Sequence, residues 1–420
     1  MFRARQYVVF FFLIFLFGLL FLRLFYLQVL SFDRFSDMAS GQHNQIIKIE
    51  PRRGTIFDRY KEPLAINLEM PSVYGNPRVI EEGDKEKTAG ILAEVLDLDK
   101  EEVLQRLEKD KAFVWIKRKI SPKTADKLKS FDLSGVYFLE ESKRNYPNDS
   151  MASQILGFVG MDNEGLEGLE LMFDGRLKGE PGWRHLIRDA RRREVLLNEK
   201  ESIPPDNGNN IILTIDSVIQ YIVEEELERL VNEFNASGAS AVVMNPFTGE
   251  ILALANYPDY NLNAYQDAPR EFMKNPVVAN VFEPGSVFKI VTASAALNEG
   301  IIGLEDKVDC ENGEYNVGGR ILHDYHKYGV LTFRELIVKS SNIGTVKVAM
   351  ELGAERVYEY IKKFGFGEKT GVDLPGEVSG INRSPSVWSR SDITTIPMGQ
   401  GIAVTAMQLA CAMSVIANGG

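Results

Sequence analysis

The sequence predicts an α/β multidomain chain: an N-terminal transmembrane helix, an α+β module, and a C-terminal domain of helices around an antiparallel sheet. Three observations lead there. Residues 7–22 are all apolar, aromatic or Gly, and beyond Arg23 the apolar run resumes to Leu30. Charged stretches of helical spacing alternate with short extended pieces over residues 31–206. From residue 207 a β-rich run, an amphipathic helix and two β-prone runs follow one another, the makings of a helix–sheet layer.

With 420 residues, 45% of them hydrophobic and 25% charged, the chain has enough apolar surface for more than one core. Its formal charge of −11 excludes a general nucleic-acid binder, which needs a basic face to displace phosphate counterions. Cys310 and Cys411 lack the close pairing of a metal knuckle or redox motif and read first as buried thiols, with a disulfide left open.

A bilayer-crossing helix needs roughly 20 apolar residues, which the run over 7–30 supplies. Arg23, near one end of it, can extend its long side chain to the headgroups. The run is too long for a signal-peptide core and no small-residue cleavage site closes it, so a retained anchor is expected. Arg3 and Arg5 precede it, which places residues 1–6 in the cytoplasm and the rest of the chain beyond the membrane.

In the module over 31–206, residues 84–129 carry Glu, Lys and Leu at helical spacing, while Gly54-Thr55-Ile56-Phe57-Asp58-Arg59 and Gly157-Phe158-Val159-Gly160 read as strand or turn. Asp58 and Arg59 suggest a salt-linked turn. Pro204-Pro205-Asp206-Asn207-Gly208 marks a boundary, dividing 31–206 from 207–420. Asp216 is placed to cap a helix whose apolar face is Val223, Leu227, Leu230, Val231 and Phe234. The runs 239–244 and 251–255, separated by Asn245-Pro246-Phe247-Thr248-Gly249-Glu250, predict a hairpin.

The chemistry starts at Pro284-Gly285-Ser286-Val287-Phe288-Lys289. Pro284 and Gly285 break what precedes, an Ala-rich run favours helix afterwards, and Gly300 supplies a stop. Ser286 then opens a helix, with Lys289 three residues on, along the same face. A serine hydroxyl is a poor nucleophile until a neighbouring base takes its proton, and Lys289 meets that need if burial and the helix dipole lower its pKa. Ser-x-x-Lys alone occurs by chance. Ser340 and Asn342 form a second element, Ser-x-Asn, which by itself reads first as a helix cap.

Together the two elements match part of the pattern of serine β-lactamases and penicillin-binding proteins. With Arg53-Gly54-Thr55-Ile56-Phe57-Asp58-Arg59, Arg144-Asn145-Tyr146-Pro147, Gly165-Leu166-Glu167-Gly168-Leu169-Glu170 and Met398-Gly399-Gln400-Gly401, the whole chain resembles class B penicillin-binding proteins, chiefly the septal division type and its sporulation relatives. The resemblance implies a D,D-transpeptidase acting on peptidoglycan stem peptides that end in D-Ala-D-Ala. Ser286 would be acylated, Lys289 would be its base, Ser340 would relay a proton, and Asn342 would orient Lys289 and bind substrate. β-Lactams would be trapped on Ser286. The module over 31–206 would be a pedestal, also described as a dimerisation domain, and a SEDS-type glycan polymerase and other division proteins would be partners. No cofactor and no metal are implied.

Lys369-Thr370-Gly371 sits in a Gly- and Pro-punctuated stretch that reads as loop, so it is not taken as the family's substrate-binding strand. That strand is expected after Ala417-Asn418-Gly419-Gly420, where the sequence stops; the chain as given is therefore expected to be a fragment of low activity, lacking part of the oxyanion hole. Two other readings stand beside transpeptidation: a β-lactam or muropeptide sensor, and a hydrolase such as a D,D-carboxypeptidase or β-lactamase. His323-Asp324-Tyr325-His326 has ligand-like spacing without further ligands, and reads as a surface or groove loop.

Overall fold

The computed structural model describes residues 2–31, 44–188, 194–195 and 203–420. Met1 and His43, and the side chains of Arg3, Arg5 and His185, lie outside the described residues. The fold class is the one the sequence predicts. The chain forms two compact units, one of residues 1–52 and 178–208 and the other of residues 53–177 and 209–420.

In the first unit a helix, Phe2–Phe25, runs into a π turn, Tyr26–Leu30. Its span Phe10–Leu30 is long and apolar enough to cross a membrane and is not covered by protein. A three-stranded sheet follows, in which Asn44–Ile49 pairs antiparallel with Gly182–Arg188, and Gly182–Arg188 with Glu194–Val195.

The second unit holds four clusters of buried apolar side chains. A long strand, Pro63–Gly75, pairs antiparallel with Val136–Asn145 along ten residues and with Val114–Lys117 at its far end. Helices Lys85–Leu96, Lys100–Leu107 and Pro122–Lys129 bury Leu92, Leu96, Val103, Leu107 and Leu128 with Val73 and Ile116 of these strands. The stretch that reads as helical over 84–129 is thus broken by the strand Val114–Lys117, whose alternating burial is that of a sheet edge.

Ile56–Phe57 pairs with Pro63–Gly75 on one side and, in parallel, with Ile211–Ile212 on the other. The residues just after the expected boundary at 206 therefore complete a sheet begun at Ile56. Beyond it, Asp216 accepts hydrogen bonds from Val218 N and Ile219 N and caps the helix Ser217–Phe234. The hairpin forms as expected from Ala239–Met244 and Ile251–Tyr257.

The buried face of that helix differs from the apolar pattern. Leu227 and Val231 are buried, but Leu230 and Phe234 are exposed, and Gln220 is buried in their stead. The reason is backbone pairing: Gln220 Nε2 donates to Leu254 O at 2.9 Å and Gln220 Oε1 accepts from Leu254 N at 2.8 Å, which fixes the helix on the hairpin by a polar side chain.

Candidate active site

Three motifs that lie far apart in sequence meet within the second unit. Glu170 is fully buried; its Oε2 accepts from Arg53 Nε and its Oε1 from Arg144 Nε, each at 2.6 Å. Arg53 continues to Glu170 O, Asn163 O and Asp174 Oδ1, and Arg144 Nη1 to Gly54 O. This is a buried charge network that ties together residues from three separate motifs. Asp58 does not pair with Arg59: it accepts from Tyr60 N, Glu62 N and Ser217 Oγ, while Arg59 reaches Glu250 at 3.7 Å.

The serine site is built on a separate core. Gly285–Phe288 is a 3₁₀ turn that leads directly into the α-helix Lys289–Asn298. Three residues per 3₁₀ turn eclipse positions i and i+3, which puts Ser286 and Lys289 on one side. Phe288, between them, points down into the core formed with Val291, Leu336, Val348, Phe366 and Val404, so the turn is anchored by a fully buried ring. Ser286 is exposed at the surface and Lys289 is buried.

Met398-Gly399-Gln400-Gly401 supports this turn from behind. Gly285 N–H donates to Gly399 O at 3.0 Å, and a Cβ on Gly399 would lie 2.2 Å from Gly285 O. Gly401 N–H donates to Glu283 Oε1 at 2.8 Å, and Thr292 Oγ1 donates to Pro397 O at 3.2 Å.

Opposite stands the Ser-x-Asn element. Lys289 Nζ donates to Ser340 O at 2.6 Å, to Ser340 Oγ at 3.0 Å and to Asn342 Oδ1 at 2.8 Å. Of the four residues singled out in the sequence, Lys289, Ser340 and Asn342 are thus joined by hydrogen bonds, and Ser286 lies one 3₁₀ turn before Lys289. The cap reading of the tripeptide also has its place: the middle residue, Ser341, caps the helix Asn342–Leu352 by accepting from Gly344 N at 3.0 Å. Burial pushes the Lys289 ammonium down to about 8, against the opposing pull of the Asp324 carboxylate. An exposed serine one turn from a buried amine of lowered pKa is the arrangement that serine acylation requires.

Sequence reasoning missed Asp324. Its Oδ1 accepts from Asn342 N at 2.5 Å and Ile343 N at 3.0 Å, and its Oδ2 from Ser341 Oγ at 2.6 Å. The only hint in the sequence was its place in His323-Asp324-Tyr325-His326. Lys369-Thr370-Gly371 is a loop, as read, held by Glu377, which accepts from Thr370 N at 2.7 Å and Gly371 N at 3.1 Å. Cys310 and Cys411 are free thiols. A cavity of about 840 Å³ lined by Phe158, Glu167, Tyr260, Tyr265 and Arg270 contains none of the four site residues.

The family model of the penicillin-binding protein transpeptidase domain matches residues 239–420, and that of the penicillin-binding protein dimerisation domain matches residues 48–213. The chain is 37% identical over its full length to stage V sporulation protein D of Bacillus subtilis, spanning 65% of that protein. It is 31% identical to peptidoglycan D,D-transpeptidase FtsI of Escherichia coli, with 95% of this chain and 68% of the relative covered. Among solved structures, penicillin-binding protein 2 in complex with MreC from Helicobacter pylori superposes with a TM-score of 0.78 at 25% identity, over 90% of this chain and 77% of that one. Penicillin-binding protein 3 of Mycobacterium tuberculosis complexed with aztreonam gives 0.64 at 28% identity, over 89% and 66%. With a helix long and apolar enough to cross a membrane, Lys289 bonded to Ser340 and Asn342 one turn after Ser286, and these relatives, the chain belongs to the class B penicillin-binding proteins, a family of peptidoglycan D,D-transpeptidases.

Proposed function

We propose that this protein cross-links peptidoglycan stem peptides ending in D-Ala-D-Ala through an acyl-enzyme on Ser286, and that β-lactams acylate the same oxygen. The observation that carries this is the buried Lys289 ammonium, lowered to about 8 and held by Ser340 and Asn342 one 3₁₀ turn from Ser286. In its neutral form Lys289 takes the Ser286 proton as the oxygen attacks the carbonyl carbon of the penultimate D-alanine. The tetrahedral intermediate collapses by breaking the C–N bond to the terminal D-alanine. The proton passes from Lys289 through the Ser340 hydroxyl to the departing nitrogen, and an ester remains on Ser286. A second stem's amine attacks that ester, loses its proton to the same pair, and restores the Ser286 hydroxyl as the new amide forms.

Asn342 has two duties in this scheme. Its Oδ1 orients Lys289, and its Nδ2, which donates to His323 O at 3.0 Å, is the group assigned to bind a substrate amide. Residues 1–6 are assigned to the cytoplasm, residues 31–206 to a pedestal and residues 207–420 to the catalytic domain beyond the membrane. A SEDS-type glycan polymerase is the expected partner of the anchor and pedestal, and septal or sporulation wall synthesis the expected setting.

Mass spectrometry of the complete, detergent-purified protein after benzylpenicillin treatment tests the assignment. The adduct is expected on the peptide containing Ser286 and absent from Ser286→Ala; an adduct on any other side chain overturns it.

A further inference from the structure

We propose that Asp324 is the positioning residue of the acylation site, holding the turn Ser340-Ser341-Asn342 against Lys289. The inference rests on the serine acylation reading above.

Ser340 has φ of +55°, in the left-handed region that a residue with a side chain occupies only when its surroundings hold it there. From that conformation it offers Lys289 both its carbonyl and its hydroxyl oxygen. Something must pay for the strain, and the Asp324 carboxylate makes three hydrogen bonds to the three atoms that follow: Ser341 Oγ, Asn342 N and Ile343 N. The two amides are the first of the Asn342–Leu352 helix and have no partner within it. Ser341 already caps that helix through Gly344 N, so Asp324 is an additional clamp placed on the residues that face Lys289.

The clamp is itself anchored. Asp324 follows the strand Arg320–His323, which pairs with Glu314–Val317, and Leu322 of that hairpin is buried with Ile343, Val346 and Met398. The neighbouring carbonyl, His323 O, accepts from Asn342 Nδ2 at 3.0 Å, so the same hairpin end holds both the backbone and the side chain of Asn342.

Among the charged groups packed round Lys289, Asp324 on the hairpin is the one whose field bears on it; Lys347, on the helix of Asn342, is spent on Glu311 at 2.6 Å and Asp309 O. A carboxylate there favours the ammonium and a neutral group does not. Two variants separate mechanical from electrostatic action. Asp324→Asn keeps an oxygen for Asn342 N and Ile343 N and removes the charge, whereas Asp324→Ala removes both.

The readout is the rate of benzylpenicillin acylation of the complete protein from about pH 6 to 10, fitted for its acid limb. Asp324→Ala is expected to lower the rate at every pH by ~10–100-fold, the scale of a lost positioning contact. Asp324→Asn is expected to retain more activity and to move the acid limb to lower pH, a shift that a purely structural carboxylate would not cause. If Asp324→Ala fails to fold, the limb of Asp324→Asn decides. A wild-type limb in Asp324→Asn, or a wild-type rate in folded Asp324→Ala, overturns the proposal. Ser286→Ala, run alongside, tests the serine reading separately: adduct formation there at the wild-type rate sinks that reading, whatever the Asp324 variants do.

Discussion

Lys289 Nζ donates to Asn342 Oδ1 at 2.8 Å across the gap between two helix starts, so the proposed base and the side chain that holds it come from separate elements. Burial lowers the lysine to about 8, which leaves it mostly protonated at neutral pH. Only the neutral amine accepts the serine proton. The rate of Ser286 acylation is therefore expected to rise with pH up to about 8 and to level off above it, and a stopped-flow or gel-based penicillin titration across that range checks the direction.

Removing the amine tests the same residue without reference to pH. Lys289→Ala deletes a buried charge whose desolvation opposes folding, along with three hydrogen bonds that offset it. The melting temperature is expected to change little, while acylation falls by at least ~100-fold, the low end of what a general base contributes. Wild-type acylation in the folded variant would remove Lys289 from the mechanism.

Glu170 balances two buried guanidiniums, Arg53 and Arg144. Glu170→Ala would leave Arg144 without its carboxylate in a nearly water-free site and Arg53 with Asp174 alone, at a cost of about 3–5 kcal/mol by the usual behaviour of broken buried pairs. Urea denaturation should show that loss, and Glu170→Gln, which keeps the shape and an acceptor oxygen, should fall between. Equal stability of all three proteins would mean that water enters the network.

The contrast between these two sites explains what the sequence revealed. Ser286 and Lys289 are one turn apart, so a local rule joins them, and Ser340 with Asn342 is likewise a local pair. The hairpin of Ala239–Met244 and Ile251–Tyr257 was equally legible because turn residues sit between two β-prone runs. Arg53, Arg144 and Glu170 could be noticed only as separate motifs, since their meeting depends on the long strand Pro63–Gly75 and its partner Val136–Asn145. Asp324 was marked only as part of a surface or groove loop: its effect needs the hairpin Glu314–Val317 and Arg320–His323 to bring it to Asn342. The burial of Gln220 was hidden for a related reason, because apolar periodicity does not register a side chain whose partner is the backbone of Leu254.

Asp58 is fully buried and carries a depressed pKa: burial alone would raise it, but hydrogen bonds from Ser217, Glu62 and Tyr60 outweigh that. A carboxylate with a folded pKa below its ordinary 3.8 adds stability above that value and loses it as pH falls through the lower, folded one. Asp58→Asn is expected to be less stable than wild type near neutral pH, with the gap closing in strong acid. Denaturant midpoints of both proteins at the two pH values check the sign.

Gly399 provides the sharpest steric test of how the nucleophile is held. It has φ of +80°, and the Cβ of an alanine there would fall 2.2 Å from Gly285 O and 2.6 Å from Gly285 N. Both obstacles are backbone atoms, so no side-chain rotation relieves them; the chain must move at Gly399 or at Gly285, next to Ser286. The left-handed conformation alone costs about 1–3 kcal/mol when a residue with a side chain is forced into it. Gly399→Ala is thus expected to lower acylation by ~10-fold or more through displacement of the Ser286 turn, in keeping with the sensitivity of rate to small shifts of reacting atoms. Gly401→Ala serves as the comparison, because a Cβ there has no atom nearer than 3.6 Å and meets only side chains, leaving the φ of +79° as its main penalty. Acylation and melting temperature should therefore both suffer more in Gly399→Ala than in Gly401→Ala, and equal acylation rates in the two variants would show that the Gly285 contact does not place the serine.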